Sequence, residues 1–256
     1  MNYLKFLGTG GARIVVAKQV RSSAGIWLSL EGVNLLLDPG PGALVRCWAS
    51  RPKMPPADLD GIIISHKHLD HAGDVNAMIE GMTEGGFKKK GILFAPQDAL
   101  DSEPVVFHYL LDYLNGVEIL KEGQSYSVKG LSFSTALRHI HPVETYGLRF
   151  QLPEGVLSII TDTRFFPELI PCYRGDILII NVVSLRPFAQ DSIDHLSIED
   201  VKEIILNIQP KVAILTHFGM SMLRAKPWEI AEALTRETKT RVIAARDGMQ
   251  IFLRDL

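Results

Sequence analysis

Apolar residues fall along this chain in short unbroken runs that stop abruptly at glycine, histidine or an acidic residue. Gly61-Ile62-Ile63-Ile64, Val156-Leu157-Ser158-Ile159-Ile160, Ile177 to Val183 and Val212-Ala213-Ile214-Leu215 are short, β-branched and bounded by turn residues, which predicts buried strands. Tyr3 to Leu7 alternates like a first strand, and Gly25 to Leu30 with Val33 to Leu37 predicts a hairpin turning at Glu31-Gly32. Shorter strands are expected near 117–120, 126–128 and 131–136, with closing strands at 241–244 and 249–253. Helical patterns cover 43–50 and 74–80, then the segment opened by a Ser197/Asp200 capping box and reaching Ile208, then Pro227 to Thr238. Pro104 to Asn115 carries Val105, Val106, Tyr109, Leu110, Tyr113 and Leu114 at helical spacing, which predicts a helix with a buried aromatic stripe and a structural His108. Gly8-Thr9-Gly10-Gly11 leads into Ile14-Val15-Val16 without a helix start, and a dinucleotide fingerprint would need glycine where Arg13 stands; a tight turn is expected. Strands alternating with helices, plus hairpins, indicate a layered α/β sandwich.

Composition narrows the class. The 256 residues are 46% hydrophobic and 22% charged, as in an ordinary globular enzyme, and the proline-rich 51–56 stretch is too short for a linker, so residues 1–256 are expected to form a single domain. A net charge of -2 supplies no general cationic field, so charge gives a nucleic-acid partner no support. Cys47 and Cys172 stand far apart and form no metal knuckle, and the reading defaults to a reducing cytoplasm. No signal-peptide pattern opens the chain and no run approaches the ~20 apolar residues of a membrane span.

The chemistry lies where the runs stop. Ile64 passes into Ser65-His66-Lys67-His68-Leu69-Asp70-His71, and imidazole and carboxylate donors at these spacings suit one or two borderline transition metals. His66 and His68, two apart, share a face in extended backbone, and Asp70 and His71 follow as the chain turns toward a helix. A second contribution is due from Arg138-His139-Ile140-His141-Pro142; Pro142 stiffens His141, which favours it over His139 as the ligand. Asp162 at the tip of its strand can bridge two cations, and His217 ends another buried strand as the last ligand. His195 projects from a loop just before the capping box. Asp38 either orients a ligand histidine or caps the helix after it. Arg13, Arg21 and Ser22 are candidate contacts for an anionic substrate, as are Lys88 to Lys90, whose simpler reading is a solvated loop.

With HxHxDH at His66 to His71, His141 followed by Tyr146-Gly147-Leu148-Arg149, Asp162 in TDT and His217 in LTHFG, the chain resembles the metallo-β-lactamase superfamily. GTGG near the start, Arg21-Ser22-Ser23 and His195 in DHLS make it similar to the ribonuclease Z-like and cyclic phosphodiesterase branch. The resemblance implies a four-layer αββα sandwich with two divalent metals at one edge, zinc first, with manganese or iron also used. It implies that His66, His68 and His141 hold one metal, that Asp70, His71 and His217 hold the other, and that Asp162 bridges them. Homodimers are common in this branch.

The activity expected is metal-dependent hydrolysis of a small or cyclic phosphodiester, or of a nucleic-acid-derived one, by activated hydroxide. Asp70 would accept a proton, and His195 would contact the phosphoryl oxygens or protonate the leaving group. The alternatives are a ribonuclease Z-like endonuclease without the tRNA-gripping arm, a thioester or lactone hydrolase, and a non-hydrolytic metal-binding scaffold.

Overall fold

A computed structural model describes residues 1–101, 103–187 and 193–256, so 188–192 of the expected polar loop at 186–194 lie outside the described residues. The strands are β1 (Tyr3–Phe6), β2 (Ile26–Leu30), β3 (Val33–Leu37), β4 (Gly61–Ile63), β5 (Ile92–Ala95), β6 (Gly116–Ile119) and β7 (Gln124–Val128). They continue with β8 (Leu131–Thr135), β9 (Leu148–Leu152), β10 (Gly155–Ile160), β11 (Ile177–Asn181), β12 (Val212–Thr216), β13 (Arg241–Ala244) and β14 (Gln250–Phe252). The helices are α1 (Arg13–Ala17), α2 (Ala43–Ala49), α3 (Leu69–Ala72), α4 (Val75–Met82) and α5 (His108–Leu111), then α6 (Leu169–Cys172), α7 (Ile198–Ile208), α8 (Met220–Arg224) and α9 (Pro227–Thr238).

The strands form two seven-stranded sheets, β14-β1-β2-β3-β4-β5-β6 and β13-β12-β11-β10-β9-β8-β7. Unbroken apolar runs arise because both faces of the central strands are covered. In β11, Ile177 and Ile179 point between the sheets, while Leu178 and Ile180 point outward to α7 and α9. In the first sheet, Leu35 and Leu37 face inward, and Leu36 and Ile62 pack with Met78 and Ile79 of α4. Helix, sheet, sheet, helix is therefore the layer order, the αββα sandwich expected from the sequence. Phe94 of β5 meets Phe133 of β8 edge-on at 5.0 Å, which locks the inner faces together.

Strand direction decides where chemistry can collect. β3 and β4 run parallel, as do β10, β11 and β12, so the ends of β3, β4, β10 and β12 open at one rim. Loops from both sheets are laced there: Phe218 donates its amide to Thr9 O at 2.8 Å, and Tyr146 donates to Ser65 O at 3.1 Å. Among the described residues, no helix is long and apolar enough to cross a membrane.

Two expectations need correcting. The helix expected over 104–115 is the single turn of α5, because Asn76 ties the preceding backbone in extended form: its Oδ1 accepts from Phe107 N at 2.9 Å and its Nδ2 donates to Val105 O at 2.9 Å. His108 and Tyr109 are consequently exposed rather than core. A helix does follow the glycine-rich loop. α1 has no side-chain cap and starts after Ala12 at φ 63°, a backbone state that its sequence does not advertise, and is held by buried Val15.

The capping box before α7 is formed in both directions: Asp200 accepts from Ser197 N at 2.8 Å, and Ser197 Oγ accepts from Asp200 N at 3.4 Å. Ser197 is fully buried, and Ser197→Ala is expected to cost about 1–2 kcal/mol, read as a lower midpoint in chemical denaturation.

Candidate metal centre

Asp38 follows the end of β3 in the left-handed backbone region, φ 54°. Its Oδ1 accepts from Ser65 N at 2.7 Å, and its Oδ2 accepts from Ser65 Oγ at 2.7 Å and from His71 Nδ1 at 2.9 Å. Asp38 thus orients a histidine and does not cap α2, whose first amides Gly42 N and Leu44 N donate to Asp74 instead, each at 3.1 Å. Ser65 Oγ, having given its proton to Asp38, accepts from His66 Nδ1 at 3.0 Å. His141 Nδ1 donates to Asp194 O at 3.0 Å. These partners assign the tautomers: His66, His71 and His141 each carry the proton on Nδ1 and present an Nε2 lone pair inward.

The lone pairs converge. His141 Nε2 lies 3.0 Å from His68 Nδ1, and His71 Nε2 lies 2.9 Å from His217 Nε2. Asp70 Oδ2 is 3.4 Å from His217 Nε2 and 3.8 Å from His71 Nε2. Asp162 Oδ2 stands between the groups, 3.3 Å from His71 Nε2 and 3.9 Å from His66 Nε2. His217 itself has φ 60°, and a Cβ on Gly11 would fall 2.2 Å from its ring, so the glycine loop is bare in order to pass His217.

Electrostatics favour a cation. Burial opposes ionisation of Asp162, but His217, His71 and His195 hold it well below the usual carboxylate range; Asp70 is likewise depressed against burial, chiefly by His71 and His217. Burial keeps His66 well below the ordinary imidazole value and lowers His68 and His195, and it brings His141 down to about 4. Neutral imidazoles are the form that binds metal. His71 goes the other way: burial lowers it, yet Asp162, Asp38 and Asp70 together raise it well above the ordinary value. Three carboxylates around one imidazole, Asp38 and Asp162 buried and Asp70 half-buried, demand a positive charge, which a divalent cation would provide in place of a proton.

The donor set fits such ions. His66 Nε2 and His217 Nδ1 are buried without a hydrogen-bond partner among the described residues. Donors around one tetrahedral zinc at 2.0–2.1 Å stand about 3.4 Å apart, and the Asp70, His71 and His217 separations bracket that value. His66, His68 and His141 form a second group whose ligand atoms lie within 4.8 Å of one another. Asp162 joins His66 and His71 in a third, straddling group.

The structure thus gathers His66, His68, Asp70, His71, His141, Asp162 and His217. His195 joins them with Nδ1 3.5 Å from Asp162 Oδ2 and a side chain 19% exposed, the only one of the cluster's imidazoles besides His68 and His141 with appreciable access to solvent. Arg13 stands exposed at the rim, next to Ala12, whose amide donates to Asp70 Oδ2 at 3.2 Å. Arg21 and Ser22 are both engaged within the chain. Arg21 Nη1 donates to Thr9 Oγ1 at 2.8 Å and to Ala245 O at 3.2 Å, with its guanidinium over the Phe218 ring at 5.4 Å; Ser22 N donates to Asp247 at 2.9 Å. Both brace the glycine loop. Lys88 pairs with Glu84 at 2.6 Å and Lys90 donates to Ala57 O, leaving that loop on the outer flank.

Sequence reasoning missed Ser65 and Asn181. Asn181 ends β11 and donates from Nδ2 to Asp162 Oδ1 at 2.8 Å, leaving Oδ2 to face the histidines. The signal was a polar residue closing an apolar strand. His139 is buried against Tyr173 Oη at 2.7 Å and bonds Asp162 O at 3.2 Å, so it supports the Asp162 backbone and has no lone pair to offer inward.

The family model described as beta-lactamase superfamily domain matches residues 33–218. The chain is 30% identical to the uncharacterized protein MJ1374 of Methanocaldococcus jannaschii over 97% of its own length and 94% of that protein's. It is similar in structure to the metallo-β-lactamase fold protein YhfI of Bacillus subtilis, with a TM-score of 0.79, 18% identity, and 98% and 99% of the two chains covered. A diphosphatase from the PhnP family aligns with a TM-score of 0.73 at 19% identity over 98% of this chain and 96% of that one.

Zinc titration is expected to saturate at two equivalents and to raise the thermal midpoint, and a chelator should reverse the gain. Asp38→Ala should weaken zinc about 10–100-fold in competition with a chromophoric chelator; unchanged affinity would remove Asp38 from the centre.

Proposed function

The chain belongs to the beta-lactamase superfamily and has the metallo-β-lactamase fold; from that premise we propose that it is a metal-dependent phosphodiesterase acting on a small or cyclic phosphodiester. The observation that carries this reading is the convergence of the Nε2 lone pairs of His66 and His71 on Asp162 Oδ2, with His141 Nε2 against His68 in the adjoining group and His195 and Arg13 on the open side. His66, His68 and His141 would hold one divalent cation and Asp70, His71 and His217 another, with Asp162 shared between them; zinc suits this mixture of nitrogen and oxygen donors. When bound, such a pair supplies Lewis acidity, acidifying water and neutralising charge that grows on a phosphoryl oxygen.

The remaining work falls to the chain's own groups. Asp38, through His71 directly and through Ser65 to His66, holds two imidazoles in the donor tautomer, so no reorganisation is needed at the moment of reaction. Asn181 fixes the carboxylate plane of Asp162. Arg13 draws the anionic substrate to the rim. His195 donates a hydrogen bond to a phosphoryl oxygen and delivers a proton to the departing oxygen, and Asp70 takes up the proton released from water. The permanent positive charge of Arg13 at the rim and the likeness to a diphosphatase support phosphoryl over carbonyl chemistry. The reading treats residues 1–256 as one catalytic domain.

Metal-loaded protein is expected to cleave bis-p-nitrophenyl phosphate, and His195→Ala to lose about 10²–10⁴-fold in turnover with its metal content intact. Metal loss in that variant, or cleavage of thioesters and lactones with no cleavage of phosphodiesters, would overturn the assignment.

A further inference from the structure

We propose a second anion site, specific for a phosphoryl group, in the groove between Lys5 on β1 and Arg46 and Arg51 at the end of α2. The groove encloses 330 Å³, on the scale of small-ligand pockets, and is floored by Leu7 and Gly248. None of its walls belongs to the donor cluster. Leu4 and Phe6, on either side of Lys5, enter the core between the sheets, so the alternation of β1 turns Lys5 to the outer face beside α2.

Three observations point to an anionic guest. All three charged walls are cationic, in a chain whose net charge is -2. Lys5 as a residue is only 7% exposed, its stem buried, while its ammonium opens to the groove and, among the described residues, has neither an ion pair nor a side-chain hydrogen bond. A cation whose stem is held by packing and whose head has no counter-charge within the chain is placed in advance for an anion that enters the open space it borders. The arginines are arranged to the same end. Arg51 Nη1 donates to Ala49 O at 3.3 Å and to Ser50 O at 3.0 Å, covering carbonyls that would repel an anion at the end of α2. Arg46 reaches Asp247 Oδ2 only at 3.7 Å, and Asp247 is already engaged by the amide and hydroxyl of Thr9 and the amide of Ser22. The Arg46 side chain is 46% exposed, and its guanidinium keeps donors free for a guest.

Two guanidinium groups and an ammonium around one groove suit the several terminal oxygens of a phosphoryl dianion better than the two of a carboxylate. Such a site takes the phosphoryl group whether it arrives alone or on a nucleoside, since the charged walls address only the phosphate.

Calorimetric titration of metal-loaded protein with inorganic phosphate and with adenosine 5′-monophosphate tests this. A binding event is expected that survives His68→Ala, and so lies outside the histidine cluster, and that Arg46→Ala/Arg51→Ala weakens about tenfold or more. Lys5→Met, nearly equal in shape, should weaken it comparably and serves if the double variant misfolds by circular dichroism. Tighter binding of the nucleotide identifies a nucleoside-borne phosphate as the guest; equal binding identifies the phosphoryl group alone. The proposal is overturned if the event is unaltered in the arginine and Lys5 variants, or if the only binding seen disappears in His68→Ala. Because binding is the readout, a failure here leaves the phosphodiesterase reading untouched, and the converse also holds.

Discussion

One buried carboxylate sets the terms for the rest of the rim. Asp38 accepts three hydrogen bonds with two oxygens, from the Ser65 amide, the Ser65 hydroxyl and the His71 ring, and through the hydroxyl it governs His66 as well. An imidazole free to choose its tautomer presents a lone pair on either nitrogen. Here the choice is made by a group at the end of the neighbouring parallel strand, in register with the strand that delivers the histidines. Leaving such a carboxylate without partners would cost about 1–3 kcal/mol or more, so the arrangement that prepares the donors also satisfies the backbone around them.

The same economy appears in the charge balance. Asp38, Asp70 and Asp162 are brought together in a region that excludes most water, and most of the imidazoles around them are held neutral by burial. His71 alone is drawn toward protonation, by the three carboxylates it touches. A protein without need of a cation would not be expected to retain a buried nitrogen such as His66 Nε2 with nothing to bind. The left-handed backbone at Asp38 and His217 is a strain of about 1–3 kcal/mol at each, placed where it aims a side chain into the centre.

What could be read in the sequence follows from range. The donors were legible because each sits within a few residues of an apolar strand end, and the α7 capping box because both partners lie on one turn. The one-turn α5 was not legible: its helical spacing is overruled by the amide of Asn76, nearly thirty residues earlier. Arg21 and Ser22 read as free polar groups because their partners, Ala245 and Asp247, come from the far end of the chain. Asn181 was hidden for a similar reason, since an asparagine closing a strand says nothing about which carboxylate it will meet. Pattern fixes where a side chain emerges; only the packed sheets fix what it finds.

β14 leaves the second half of the chain to pair with β1, at Leu4 opposite Ile251, while Gly10 pairs with Phe218 across the rim. The amino-terminal sheet therefore completes its edge with a strand that follows all of the other sheet's strands in the chain, and His217 follows β12, long after the other donors. The turn from His66 to His71 precedes His141, Asp162 and His217 by long stretches of chain, and a cation can be enclosed from all sides only after the two sheets have closed on one another.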